Sequence, residues 1–436
     1  MHQSKHPIGF WSAVSMGIGA MVGAGIFALL GEAGAIAGSA VYISFILGGI
    51  IALFSGYSLG KLGARYPSSG GIIEYLAKSY GTGTFTGTMG IMMYFAAVVS
   101  LSLIAKAFGN YAVTFFPGGN SNILRLLFTI GIIVVFVLIN LKGAKDVAFW
   151  ERLTVSFKFL VLSILSVVGI IYLDPALLQP KLYPPQQNIF FSLAITFFAF
   201  EGFRVITNTA EDMETPEKTL PRAMITAILM VMLLYVAVSF AVFGNLATDK
   251  VIAAKDFALA QAAMPIFGHW GFVVVAIAAL VSTASSINAN LYAVTNITYQ
   301  MARDGELPAE FGKKIANSRE GLVISGLLVI VLSILFDLSE IAAIGSISIL
   351  FIHFITHVGH LKLINHTKAS RFMVLLAALT TLTAMVLSLV YVSRQLDQVI
   401  GILIGFVIVA FIAEVMLQKY HHRKILPRKY TSDIET

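Results

Sequence analysis

The chain has 436 residues, of which 58% are hydrophobic and only 12% are charged, and its formal net charge is +7. Soluble domains carry about 25% charged residues, so this composition excludes a water-soluble globular protein and predicts one that lies in the lipid bilayer. The basic residues do not cluster into a binding face, so no nucleic-acid partner is expected, and the lack of cysteine excludes disulfides and thiolate metal sites.

Twelve apolar segments are predicted to cross the membrane, since a span requires about 20 mostly apolar residues. They are 10–33, 39–64, 85–115, 124–141, 150–172, 188–210, 220–243, 267–300, 322–336, 338–360, 371–392 and 398–418. The loops leave no room for a separate soluble domain, so 1–436 is predicted to be a single transmembrane domain. The ninth segment is short, and its boundary with the tenth, near Asp337–Glu340, is the least defined.

The distribution of lysine and arginine predicts the orientation. Most of these residues fall in the loops on one side of the segments, and loops rich in Lys and Arg stay in the cytoplasm. The short polar start Met1–Gly9 contains no cleavable signal. We therefore predict a multi-pass protein of the cell membrane with both termini in the cytoplasm, including a tail at 419–436.

The first span is rich in glycine, with Gly17, Gly19, Gly23 and Gly25 close together. Glycine costs up to about 1 kcal/mol inside a helix. One interpretation is close packing against another helix, because Gly19 and Gly23 have small-xxx-small spacing. The other is a helix that is broken within the membrane, where irregular backbone is tolerated if it lines a protected cavity.

The sixth span favours the broken helix, because it carries Glu201 and Gly202 at its centre. At 1.5 Å per residue, Glu201 and Gly23 each lie roughly 20 Å into their spans. Paired interruptions in two inverted halves are typical of the substrate site of a secondary transporter. Free N–H groups at Gly23, Ala24 and Gly25 can bind a carboxylate. The expected acceptors for an ammonium group are the C=O groups of Met21, Phe198 and Glu201. An amino acid is therefore the expected substrate class.

Several stretches resemble the amino acid–polyamine–organocation (APC) superfamily. They are GIGAMVGAGIF (17–27), RYPSSGGIIEYL (65–76), FFAFEGF (197–203), TAEDMETPEKTLPRA (209–223) and ARDGELP (302–308). The resemblance implies an all-α membrane protein with the five-plus-five inverted-repeat fold of the leucine transporter and discontinuous helices 1 and 6. It implies a first repeat at 10–172, a second at 188–360 and peripheral helices at 371–418, in a monomer or a homodimer.

The resemblance also implies where a substrate would bind. The site would lie between the first and sixth spans, and the third, eighth and tenth spans would complete it. An aromatic side chain would close the site, with Phe200 or Phe198 as the candidate, beside Gly202.

Lys158 lies roughly 12 Å into the fifth span from its cytoplasmic end. An ionisable residue within the membrane is typical of a functional site. The alternative is that the Lys158 side chain extends to the inner interface and places its ammonium group in water. Burial disfavours the charged form of an amine, so such a lysine can exchange a proton near neutral pH.

Lys158 resembles the lysine that replaces a sodium ion in proton-coupled relatives. The resemblance implies that its ammonium group donates to the Gly19 C=O and to oxygens around Ser282, Ser285 and Ser286. The expected function is import of amino acids coupled to protons and independent of sodium, by alternating access.

Glu201 and Arg204 depart from the family pattern, and three interpretations stay open. The two residues can form a buried salt bridge. Glu201 can instead titrate or select a cationic substrate, such as a polyamine, a cationic amino acid or an inorganic cation. One of the two can also point into a water-filled vestibule.

His353, His357 and His360 have helical spacing in the tenth span. We interpret them as histidines at the cytoplasmic end of that helix rather than metal ligands, because no partners that would orient the imidazoles are evident. The spans contain no nucleophile–base set, so neither an enzyme nor a cofactor is expected.

Overall fold

The protein is described by a computed structural model that covers residues 8–68, 70–116, 121–142, 147–303 and 307–420. Its α-helices are α1 (Phe10–Met21), α2 (Ala24–Phe27), α3 (Leu29–Ala37), α4 (Val41–Arg65), α5 (Ile72–Tyr80), α6 (Thr84–Val113), α7 (Asn122–Lys142), α8 (Val147–Ile171), α9 (Gln186–Phe191), α10 (Leu193–Phe200), α11 (Pro216–Phe243), α12 (Thr248–Ala253), α13 (Ala258–Arg303), α14 (Glu320–Leu335), α15 (Leu338–Lys362), α16 (Ile364–Thr367), α17 (Arg371–Gln395) and α18 (Asp397–Tyr420). The 3₁₀ helices are Gly38–Ala40, Pro175–Leu178, Pro180–Leu182, Glu201–Asp212, Lys255–Phe257 and Ala309–Gly312. A small hairpin pairs β1 (Lys314–Ile315) with β2 (Ser318–Arg319).

The number of apolar helices agrees with the prediction. In the described part of the chain, 11 helical stretches are long and apolar enough to cross a membrane, and α14 is a shorter apolar helix of 16 residues. The all-α membrane architecture of about twelve helices is therefore confirmed. Asp337 sets the boundary between α14 and α15, because its side chain accepts a hydrogen bond from the Glu340 N–H at 2.8 Å in a capping box.

The last two membrane helices, α17 and α18, pack against helices from earlier in the chain. α17 packs along α15 and α4, and α18 packs along α6. The division into repeats at 10–172 and 188–360, with peripheral helices at 371–418, stays a prediction. Of the predicted tail at 419–436, residues 421–436 lie outside the part of the chain that the structure describes.

The first membrane helix is interrupted where its glycines predicted. α1 ends at Met21, the backbone of Val22 leaves the helical region at φ −79° and ψ 62°, and α2 begins at Ala24. The Val22 N–H donates to the Ile18 C=O at 2.8 Å, which completes the regular hydrogen bonding of α1. The discontinuous first helix is confirmed, and the close packing at its glycines is present as well, since a Cβ at Gly19 would lie 2.8 Å from the Val155 Cγ2 atom.

The sixth span changes its helix type at the predicted place. α10 ends at Phe200, and Glu201–Asp212 continue as a 3₁₀ helix of 12 residues. Runs of 3₁₀ helix beyond about four residues are uncommon, because their hydrogen bonds have poorer geometry, and they often mark a hinge. The discontinuity of the sixth helix is therefore confirmed, as a tightening of the helix rather than a gap.

Gly202 allows the two interrupted helices to touch. A Cβ at this position would lie 2.4 Å from the backbone C of Ala20 and 2.4 Å from the backbone N of Met21. A Cβ at Gly25 would lie 2.4 Å from the Ala199 carbonyl oxygen. Each broken helix thus contributes one glycine that brings its backbone against the other.

We expect Gly202→Ala to push the sixth span away from α1 and to lower stability by about 1–3 kcal/mol, the usual effect of overpacking. The measurement is the thermal unfolding midpoint of the detergent-purified protein. Gly405→Ala is the matched control, because a Cβ at this position of α18 has nothing within 4 Å. If both variants unfold at the midpoint of the unmodified protein, the close approach of the two helices is not essential.

Candidate functional site

A narrow cavity lies between the two interrupted helices, and α6 and α13 complete its wall. Its lining residues are Ala20, Met21, Gly25, Leu29, Ser100, Leu103, Ile104, Phe198, Ala199, Glu201, Gly202, Arg204, Val205 and Asn290. The cavity has room for about three water molecules. The third and eighth spans therefore line it, as the resemblance implies. The tenth span supports it from behind, where a Cβ at Gly345 would lie 2.8 Å from the Phe198 ring.

Phe200 and Gly23 were predicted to bind the substrate, but neither has the surroundings that the prediction requires. The Phe200 side chain is fully buried and packs against the rings of Phe45 and Tyr235, so of the two candidate closing aromatics only Phe198 lines the cavity. The Gly23 N–H is not free, because it donates to the Met21 C=O at 2.8 Å. The amide groups that remain for a carboxylate are those at the start of α2, from Ala24 and Gly25.

Lys158 on α8 is buried, with 1% of its surface exposed, and its Nζ donates to the Gly19 C=O at 2.7 Å. The structure thus contains the predicted hydrogen bond, and the alternative of a side chain that extends to the inner interface is wrong. Since α1 ends at Met21, the Gly19 C=O is one of the last four carbonyls that lack a partner within the helix. A cation there also meets the negative end of the helix dipole.

Two further side chains bind the same end of α1. The Tyr235 hydroxyl of α11 donates to the Met21 C=O at 2.6 Å and lies 3.3 Å from the Ala199 C=O of α10. The Ser282 hydroxyl of α13 donates to the Val22 C=O at 3.0 Å. Sequence reasoning missed Tyr235, although a phenol at the centre of an apolar span is a signal that could have found it.

The other serines predicted beside Lys158 lie on α13 next to the break. A Cβ at Gly23 would lie 2.2 Å from the Ser286 Oγ, so this hydroxyl packs directly against the interrupted backbone. Within the described residues the Ser286 hydroxyl is buried and has no hydrogen-bond partner. Ser285 is half-buried on the same helix.

Glu201 is buried between two basic side chains. Arg204 Nε lies 2.5 Å from Glu201 Oε1, and His353 Nε2 lies 3.1 Å from Glu201 Oε2. The Arg204 contact is an ion pair, whereas the His353 contact is one only when the imidazole is protonated, and neither contact has the alignment of a hydrogen bond. The salt bridge between Glu201 and Arg204 is therefore present, and both residues also line the cavity.

His353, His357 and His360 lie toward the C-terminal end of α15, with His360 in its last turn, so the predicted place at a helix end agrees with the structure. The expected lack of partners for the imidazoles is wrong, because all three side chains are fully buried and in hydrogen-bond contact with serines. α15 packs beside α4, and serine hydroxyls of α4 meet the imidazoles. The helical spacing was visible in the sequence, but the residues that these imidazoles face were not.

An all-α membrane protein with two interrupted helices beside a buried cavity has the architecture of a secondary transporter. Comparison with known proteins gives the family: residues 8–412 match the family model described as amino acid permease, and the chain belongs to this family. It is a transporter of the APC superfamily with the leucine-transporter type of fold, and not an enzyme.

Three relatives illustrate the similarity. The inner membrane transport protein YbaT of Escherichia coli is 39% identical over 78% of this chain and 79% of its own. An uncharacterized protein of Methanocaldococcus jannaschii is 39% identical over 78% of each chain. The serine/threonine exchanger SteT of Bacillus subtilis is 28% identical over 72% of this chain and 71% of its own.

Tyr235→Phe removes the hydroxyl that binds the Met21 C=O and keeps the ring. We expect it to lower stability by about 1 kcal/mol and to raise the KM for amino acid uptake, because the end of α1 borders the cavity. Uptake into proteoliposomes and thermal unfolding are the measurements. Tyr94→Phe is the matched control, since it removes another buried hydroxyl, 3.0 Å from that of Ser325. Identical KM values for the two variants would contradict a role for Tyr235 at the site.

Proposed function

We propose that the protein imports amino acids together with protons, independently of sodium, by alternating access across the cell membrane, with both termini in the cytoplasm. The observation that carries this proposal is the hydrogen bond from the buried Lys158 ammonium group to the Gly19 C=O at the end of α1. A fixed positive charge at this position takes the place of a bound cation. A lysine, unlike a sodium ion, can deliver its charge as a proton.

The geometry of the cavity suggests how an amino acid would bind. Its carboxylate would meet the first N–H groups of α2 at Ala24 and Gly25, at the positive end of a helix. Its ammonium group would meet carbonyl groups near Phe198 and Glu201, since the Met21 C=O already accepts from Tyr235. The cavity has room for about three water molecules, so it fits only a small amino acid without rearrangement of its lining.

The alternative of a cationic substrate selected by Glu201 receives less support. Arg204 lies 2.5 Å from one oxygen of the Glu201 carboxylate, so the charge of Glu201 is already matched by a cation within the protein. A neutral amino acid requires no further charge in the cavity. The name of the relative SteT, a serine/threonine exchanger, agrees with a neutral substrate.

Lys158→Arg and Lys158→Ala test the proton-coupling residue. Arginine keeps the positive charge but does not release its proton, and alanine removes both. We expect both variants to lose gradient-driven uptake of a radiolabelled mixture of neutral L-amino acids by about tenfold or more, on the scale of a lost proton-transfer group. Lys158→Arg should still bind amino acids, because the Gly19 C=O keeps a charged donor.

Lys106→Ala is the control for this experiment, because it removes another lysine near the end of a span, where Lys106 lines a separate polar cavity. Uptake is compared with and without a proton gradient and with and without sodium. Full pH-dependent uptake by Lys158→Ala would contradict the role of Lys158. Uptake that requires sodium would contradict the proposed coupling.

Ligand-dependent thermal shifts separate the two substrate classes. We expect neutral L-amino acids to raise the unfolding midpoint, by the equivalent of about 2.7 kcal/mol at one hundred times the Kd. Free arginine and putrescine should leave the unfolding midpoint unchanged, because Arg204 repels a second cation beside Glu201. A shift by putrescine that disappears in Glu201→Gln would instead establish the cationic substrate.

A further inference from the structure

Three histidines of α15 and two serines of α4 form a continuous row of hydrogen-bonding contacts inside the protein. Ser55 Oγ lies 2.7 Å from His353 Nδ1 and 2.9 Å from His357 Nε2. Ser58 Oγ lies 2.9 Å from His357 Nδ1 and 2.8 Å from His360 Nδ1. All five side chains are fully buried. We refer to these five residues as the histidine chain.

Each end of the histidine chain meets a further polar group. At one end, His353 Nε2 lies 3.1 Å from Oε2 of Glu201, which lines the cavity between the broken helices. At the other end, His360 Nε2 lies 2.9 Å from Thr367 Oγ1 in α16. Thr367 is followed by the exposed Lys368, on the side of the protein that the sequence predicts to be cytoplasmic. Thr367 is itself buried, and its hydroxyl also donates to the Leu363 C=O at 3.2 Å. The histidine chain therefore extends from the cavity to a residue that is one position from an exposed one.

The donors and acceptors along this route fit a single direction of hydrogen bonding. A neutral imidazole has one N–H group and one bare nitrogen, and a hydroxyl donates once and also accepts. Every contact from His353 to Thr367 can therefore have one donor and one acceptor, with all protons directed toward Glu201 or all directed away from it. The remaining contact, between His353 Nε2 and Glu201 Oε2 at 3.1 Å, becomes a hydrogen bond only after a change of alignment. Such an arrangement can pass a proton along its length by small shifts at each link.

We propose that the histidine chain conducts protons between Glu201 and the cytoplasm, which makes Glu201 a second proton-carrying residue of the transport cycle. The proposal rests on the proposed function, because a carrier that moves no protons needs no such route. During release, the Glu201 carboxylic acid gives its proton to His353 Nε2. Each following group then accepts one proton on one atom and gives up one from another, and the Thr367 hydroxyl passes one proton to water. One proton leaves Glu201 and one enters the cytoplasm, and reorientation of the hydroxyl and N–H groups restores the starting state.

Aromatic and charged side chains lie near both ends of the histidine chain. The Phe197 ring packs edge-on against the His353 ring at 5.4 Å between centroids. Arg204 lies against the other oxygen of the carboxylate at the cavity end. At the inner end, α5 packs beside α15, and the Lys362 ammonium group lies 4.2 Å from the Tyr80 ring centroid.

Ser55→Ala and Ser58→Ala test the route, because each removes one hydroxyl and interrupts two links with a minimal change of volume. The variants are reconstituted into proteoliposomes that contain a pH-sensitive dye, with an equimolar radiolabelled mixture of neutral L-amino acids as the probe. We expect the proton movement that accompanies uptake to fall by about tenfold or more. Counterflow of label at equal pH, which requires no net proton release, should fall by less than about twofold.

Two controls separate the route from a general packing defect. Ser44→Ala removes another buried hydroxyl of α4, which donates to the Ile189 C=O at 3.1 Å, and it should leave both measurements unchanged. Ser55→Thr retains a hydroxyl and should recover proton movement.

The outcomes distinguish this proposal from the proposed function. If the unmodified protein accumulates label without moving protons, the proposed function fails. If it moves protons and both Ser55→Ala and Ser58→Ala move them equally well, the histidine chain alone is overturned. Equal losses of counterflow and proton movement also overturn it, because a structural defect slows every step of the cycle.

Discussion

A helix that ends within the membrane leaves carbonyl groups without partners, and no water in lipid can supply them. This constraint acts on α1, which ends at Met21. Side chains of three other spans supply donors, because Lys158, Tyr235 and Ser282 each donate to a different carbonyl at this end. The break in α1 therefore binds the fifth, seventh and eighth spans to one short piece of backbone.

The sequence predicted the features that depend on local pattern. Apolar length marks the spans, glycine density marks the break in α1, and an isolated charge in an apolar span marks Lys158. It could not predict features that depend on which side of a helix faces which neighbour. Phe198 and Phe200 are two residues apart and face different surroundings. Ser55 and His353 meet although they are 298 residues apart in the chain, so neither residue alone indicated a partner.

The two groups proposed to carry protons lie on opposite sides of the contact between the broken helices. Lys158 holds the α1 side through the Gly19 C=O, and Glu201 begins the 3₁₀ part of the sixth span. Gly202 joins the two sides, since its backbone lies against Ala20 and Met21. A change of charge on either group therefore acts on the same pair of backbones. A single rearrangement of these backbones can respond to the loss of a proton from either group.

The two groups differ in what proton loss does to their contacts. A neutral lysine amine keeps N–H donors, so the Gly19 C=O keeps its hydrogen bond but loses the attraction between a cation and the end of the helix dipole. Glu201 gains charge when it loses a proton, which strengthens its attraction to Arg204 across 2.5 Å. Proton loss thus loosens α1 at Lys158 and tightens the sixth span at Glu201. Under the proposed coupling, these effects have opposite signs, so the two protons would act differently on α1 and on the sixth span.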